Sequence, residues 1–172
     1  MAYLDKQGVL EKVRVGVSLR GDNLLFADLI GVNLIGANLS GAVMNQVILV
    51  KANLWNANLS NSDMCWAIMS EADLLDANMS GTNLSDATLS RADMTHANLS
   101  GADLSRARLR DTILIGVNFS DANLKEAELY GADLLLANLS GTNLRGAKFT
   151  NKTNWPEGFD PVGAGAILID NP

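Results

Sequence analysis

From Leu19 to Phe149 a large apolar residue recurs at every fifth position without a break. The 27 centres are 20 Leu, five Met (Met44, Met64, Met69, Met79, Met94) and two Phe (Phe119, Phe149). Two residues before each centre stands a small residue, Ala in 18 repeats and otherwise Val, Thr, Ser or Asp. A helix cannot use this pattern, because residues five apart are rotated by about 140° and the centres would spiral round every face. An extended chain sends residues two apart to one side, so centre and small residue share a face while the residue between them points away. Five is odd, so each repeat must also contain a turn. The Asn, Asp, Ser and Gly at the remaining positions suit turns.

A chain that turns alike every five residues closes into a coil, and a second period gives the coil its size. Ser follows the centre at 40, 60, 80, 100, 120 and 140, and Asn precedes it at 38, 58, 78, 98, 118 and 138. At a spacing of fifteen from Ser40, Trp55 and Ile115 break the column. The spacing therefore predicts four repeats per coil and a solenoid of square cross-section. Its length is about 6.75 coils, or about 32 Å at the spacing of stacked strands. The centres and small residues form its core, among them Leu39, Leu59, Leu84, Leu99, Leu104, Phe119, Leu139 and Phe149.

The segment ANLSG, at 37–41, 97–101 and 137–141, and its variants over 17–151 resemble the A(D/N)LXX motif of the pentapeptide-repeat family. The resemblance implies an all-β fold, a right-handed quadrilateral β-helix. The ending NWPEGFDPVGAGAILID resembles tails of cyanobacterial members. Three regions follow: an N-terminal cap over 1–16, the repeat body over 17–151 and a capping tail over 152–172. The first is expected to hold a short helix over 2–14 with Leu4, Leu10 and Val13 inward. Trp155, Pro156, Phe159 and Ile167–Ile169 are expected to close the other end, since an open β edge invites polymerisation.

Residues twenty apart become vertical neighbours, and function must be sought in these outward columns. The column after each centre on one face reads Ile35, Trp55, Leu75, Thr95, Ile115, Leu135, with Ile113 and Leu136 beside it. Leu25, Phe26, Ile30, Val43, Ile48, Val50, Trp66 and Ile68 lie around the corners. Contiguous exposed apolar surface marks an interface, so Ile35, Trp55, Leu75, Ile113, Ile115, Leu135, Leu136 and Trp66 are candidates for one. Another face carries alternating charges, Lys51, Glu71, Arg91, Asp111, expected as a surface ladder of cross-strand pairs. Arg108, Glu128, Lys148 and Asp86, Arg106, Glu126 repeat that alternation.

No catalytic or ligand-binding constellation emerges. His96 and Cys65 are the only residues of their kinds and lie on different faces. Asp76 is one coil from His96 and could pair with it on the surface. There is no Cys/His set for zinc, no nucleophile–base dyad and no phosphate-binding glycine loop. The expectation is a non-enzymatic protein with no cofactor and no metal. A net charge of −6 argues against direct nucleic-acid or anionic-membrane binding. No run of eighteen apolar residues occurs and the N-terminus lacks a secretory core, so a cytoplasmic location is expected.

The expected role is a rigid protein-binding or self-associating scaffold, whose partner is another protein or a second copy. The resemblance implies an alternative, a DNA-mimicking rod that binds DNA gyrase or another topoisomerase and protects it from inhibitors. A DNA mimic needs a continuous negative stripe. Asp63 and Asp103, or Asp73, Asp93 and Asp133, make only partial ones.

Overall fold

The computed structural model describes residues 3–170. Its body is a stack of coils joined by parallel bridges. Nearly every bridge pairs a residue with the one twenty positions later, from Tyr3↔Asn23 to Glu128↔Lys148. The residue before the centre makes the bridge, so extended structure lasts about three residues per repeat. The chain then turns. The second residue after every centre from Leu19 to Leu144 has φ between 54° and 72°. The next small residue donates its N–H back to the centre's carbonyl, as Ala27 does to Leu24 at 3.0 Å. A left-handed third residue with that bond describes a type II turn. This corner is what lets an odd repeat keep every centre on the inside.

Stacking satisfies the backbone. Leu24 N–H donates to the Val43 carbonyl at 2.8 Å, and Val43 N–H donates to Asp22 at 2.9 Å. The left-handed residue also donates along the stack, Asn56 to Leu75 at 2.9 Å. Asn and Asp before the centre cap the corner: Asn38 Oδ1 accepts from Ser40 N–H at 3.1 Å. The same amides link coils, Asn118 Nδ2 to Asn98 Oδ1 and Asn138 Nδ2 to Asn118 Oδ1, both at 3.1 Å. The Asn column is therefore both a turn device and a ladder.

The core is a column of centres packed on small residues. Leu39, Leu59, Leu84, Leu99, Leu104, Phe119 and Phe149 are buried, and Leu139 is half-buried because the tail only partly roofs it. Thr in a small-residue slot is not a flaw. Thr82, Thr112 and Thr142 donate Oγ1 to the carbonyls of Leu59, Leu89 and Phe119 at 2.9, 3.0 and 2.8 Å. These carbonyls end corners of the adjacent coil, so the hydroxyls pin one coil to the next.

At the N-terminal end Tyr3 and Leu4 extend the stack, with Leu4 N–H donating to Asn23 O at 2.8 Å. Asp5 then caps helix α1, Lys6–Arg14, accepting from Gly8 N–H at 2.9 Å. Leu4 and Val13 pack on the core, but Leu10 is exposed and Val9 is the buried residue. Val9 lies one helical turn before Val13 and shares its inward face. Of the expected 2–14 helix, residue 2 lies outside the described residues and residues 3–5 precede the start at Lys6. Lys12 Nζ reaches Asp22 Oδ2 at 2.5 Å. Asp22 fills a small-residue slot, so α1 supplies the cation that this inward-leaning carboxylate requires.

The C-terminal end contains a slip. Asp133 bridges Asn154, twenty-one residues on, because 150–153 holds one residue more than the repeat. Thr153 then occupies the small-residue slot and Trp155 the centre. Trp155 meets Phe149 edge-on and stacks on Phe159, both with centroids 5.4 Å apart. The chain returns as β2, Ile167–Leu168, parallel to β1, Lys148–Phe149. The register there is nineteen, with Lys148↔Ile167 and Phe149↔Leu168.

Candidate protein-interaction surface

The corners decide what the faces display. A residue directly after a centre lies in the turn, its side chain free of the core. Ile35, Trp55 and Leu135 are exposed, whereas Leu75 and Ile115 are half-buried in the same column. Ile113 is exposed on the same wall, bridged between Asp93 and Asp133. Leu136 is 79 % exposed at the following corner. These residues project from stacked coils whose backbones bond to one another, as Gly36 N–H does to the Trp55 carbonyl at 2.8 Å, so the stripe is rigid before any partner arrives. Neither α1 nor the tail covers it. The end of α1 and the segment after it form one side of a cleft at Ile35, through Val13, Gly16 and Val17.

Trp66 is not part of that stripe. It sits at the diagonally opposite corner, two corners away, and lines a separate groove with Phe26, Gln46, Ile48 and Ile68. The sequence columns already put Trp66 around the corner from Trp55, although both are expected to belong to one interface.

The polar companions of the stripe are acidic. Asp73 and Asp93 accept from Leu75 and Thr95 N–H at 3.2 and 2.9 Å. Asp76 accepts from Trp55 Nε1 at 3.4 Å, fixing the indole's orientation. The expected Asp76–His96 pair does not form. His96 instead leans over Gly116, one coil on, where no side chain obstructs it.

The charge ladder is broken. Lys51 and Glu71 approach to 3.4 Å, but neither Glu71–Arg91 nor Arg91–Asp111 closes to an ion pair among the described residues. Lys51, Glu71, Arg91 and Asp111 all occupy the same left-handed corner position, so the backbone does not distinguish the pair that closes from those that stay open. The strong pair is Arg106–Asp86, where Nε and Nη2 reach the two carboxylate oxygens at 2.8 and 2.5 Å. The guanidinium holds the Asp86 carboxyl below the usual carboxylate range.

A cleft of about 330 Å³ near the slip is lined by Arg110, Tyr130, Thr150, Lys152 and Asp170. The sequence columns do not foretell it, because the extra residue that opens it is silent in the five-residue pattern. No group of three or more His, Cys, Asp or Glu able to hold a metal occurs among the described residues. No helix among them is long and apolar enough to cross a membrane.

A sequence profile described as pentapeptide repeats matches in eight copies, over 16–46, 27–64, 48–86, 72–111, 102–134 and 112–151. No curated protein matches the sequence. Many solved structures are similar, among them the three that follow. HetL, a pentapeptide repeat protein involved in heterocyst differentiation regulation from the cyanobacterium Nostoc sp. strain PCC 7120, is 26% identical. The match covers 97% of this chain and 94% of HetL at a TM-score of 0.43. A pentapeptide repeat protein from the Arabidopsis thaliana thylakoid lumen is 25% identical over 65% of this chain and 68% of its own, at a TM-score of 0.43. QnrB1, a plasmid-mediated fluoroquinolone resistance protein, is 19% identical over 88% and 85%, at a TM-score of 0.34. Likenesses at these TM-scores do not bear on what this chain does.

Proposed function

The chain belongs to the pentapeptide-repeat family, whose members are right-handed quadrilateral β-helices, and from that premise we propose that it is a non-enzymatic scaffold that binds protein through one wall. The wall is the one carrying Ile35, Trp55, Leu75, Ile113, Ile115 and Leu135, with Leu136 at its corner. The observation that carries this reading is the stacked apolar column itself. Trp55 and Leu135 are 45% and 44% exposed, at positions where the repeat tolerates any residue. A soluble rod with no use for the wall would hold the Ser or Asn found on its other faces. The rod's rigidity serves the same end, since docking on it orders little of the scaffold itself. Its length, 27 repeats or about 6.75 coils, offers room for one partner of ordinary interface size. The absence of catalytic groupings in the sequence agrees with a binding role, and the cytoplasm is the proposed location.

The first partner to test is a second copy. Light-scattering mass across a wide concentration range should show dimer for the wild type, and folded monomer for Trp55→Asp/Leu75→Asp. A dimer unchanged by the double substitution would overturn the assignment of this wall. The gyrase-protecting alternative ranks below, because the acidic columns are short, broken by Asn83 between Asp63 and Asp103 and by Ile113 between Asp93 and Asp133. Failure to preserve gyrase supercoiling in the presence of a quinolone would remove it.

A further inference from the structure

The neighbouring wall is built differently along its length. Its bridged residues run Asp28, Ile48, Ile68, Thr88, Arg108, Glu128, Lys148. The first half is apolar, with a groove of about 460 Å³ lined by Phe26, Gln46, Ile48, Trp66 and Ile68. Beyond it come Arg91, Arg106, Arg108 and Arg110. Arg106 is committed to Asp86. Arg91, Arg108 and Arg110 are in no ion pair among the described residues, and Arg110 lies 5.1 Å over the Tyr130 ring. Glu126 and Glu128 follow.

Two groove residues stand where the backbone disfavours them. Phe26 and Trp66 have φ of 60° and 61°, a region in which bulky side chains are strained. Gly occupies the same corner position in ten other repeats. Yet Phe26 and Trp66 are 56% and 58% exposed, so neither is retained for the core. Strained, exposed aromatics point to a use for the surface.

We propose that this wall docks an acidic amphipathic helix of another protein, its apolar residues in the Phe26–Trp66 groove and its carboxylates on Arg91, Arg108 and Arg110. The proposal concerns a different wall from the scaffold reading and stands without it. Three features specify the occupant. The wall's N–H and C=O groups already bond between coils, as in Ile48 N–H to Ala27 O and Leu49 N–H to Ile68 O. It therefore cannot accept an added strand, and the occupant must satisfy its own backbone, as a helix does. Three guanidiniums without carboxylate partners call for carboxylates. Glu126 and Glu128 repel an acidic segment farther along, so the helix has one direction. The scale also fits. A helix laid along the rod rises about 5.4 Å per turn against about 4.8 Å per coil, so one turn meets one coil. Apolar residues at i, i+3 and i+7 span Phe26 to Trp66, and carboxylates about two turns later reach the arginines. A second copy does not supply this helix, because α1, KQGVLEKVR, is basic.

The test is selection of helical peptides from a display library on the intact wild-type chain. Enriched peptides should carry the apolar i, i+3, i+7 pattern with Asp or Glu about two turns beyond. Fluorescence titration of a selected synthetic peptide should show about tenfold or greater weakening with Arg108→Glu/Arg110→Glu and with Trp66→Gly. Trp55→Ser should leave it unchanged. Trp66→Gly relieves the left-handed strain, so its thermal midpoint should not fall, and lost affinity cannot then be lost folding. No enrichment, enriched basic peptides, or binding indifferent to Trp66→Gly would each overturn the proposal. So would displacement by duplex DNA together with indifference to Trp66→Gly, which would mark a general polyanion surface.

Discussion

Thr153 Oγ1 donates to the Leu129 carbonyl at 2.8 Å across twenty-four residues, where the repeat's other inter-coil threonine bonds span twenty-three. The repeat thus absorbs one extra residue and returns to its own hydrogen-bond scheme. Thr153→Val keeps the shape and deletes the bond, and should lower stability by about 1 kcal/mol. Deleting Asn151, which is exposed, should leave urea unfolding within about 1 kcal/mol of wild type. A deletion that abolishes folding would contradict the slip as described.

The core makes a sharper demand. Leu84 is fully buried, and Leu84→Ala should cost about 2–5 kcal/mol. Leu84→Asp should prevent folding, because an unpaired carboxylate would enter the core. Ser100→Asp, in the outward turn, should change the unfolding midpoint little. A stable, soluble Leu84→Asp chain would refute the inward orientation of the centres.

Corner residues respond to backbone strain with the opposite sign. Leu136 has φ 61° and is almost wholly exposed, so Leu136→Gly should stabilise by about 0.5–1 kcal/mol. Gly81 also has positive φ, and a Cβ there would strike Asn61 Oδ1. Gly81→Ala should destabilise by about 1–2 kcal/mol. Thermal unfolding of the two variants checks both signs.

The Asp86–Arg106 pair gives a pH dependence. The carboxyl's folded pKa is depressed, first by the hydrogen bonds from Arg106. Its stabilisation is therefore present above the ordinary carboxylate pKa and is lost as pH falls through the lower folded value. Asp86→Asn should reduce the thermal midpoint at pH 7 by about 1–2 °C, the cation being half exposed. That difference should shrink and vanish as the pH falls through the carboxyl's lowered folded value. A difference that grows toward acid would contradict the assignment.

What could be read from the sequence and what could not divide along one physical line. The period of five and the columns of Ser and Asn are local rules repeated many times, so burial of Leu39 through Phe149 and the outward placement of Trp55 follow directly. Rules used once leave no such trace. Val9 rather than Leu10 faces inward, one helical turn from Val13. Trp155 takes a centre's slot only because one residue is added before Thr153. The ladder stays open at Arg91 and Asp111 although they share the corner position of Lys51 and Glu71, because column spacing sets which residues are neighbours and not where long exposed side chains reach.

Every column, ladder and wall depends on the register of twenty, and that register can be measured. In a Cys65→Ser background, Ser80→Cys/Ser100→Cys places two thiols on adjacent coils, whereas Ser85→Cys/Ser100→Cys places them fifteen residues apart on different faces. A short fluorogenic thiol-to-thiol cross-linker should close the first pair within one chain and leave the second open. Efficient closure of the fifteen-residue pair, with none of the twenty-residue pair, would contradict the account.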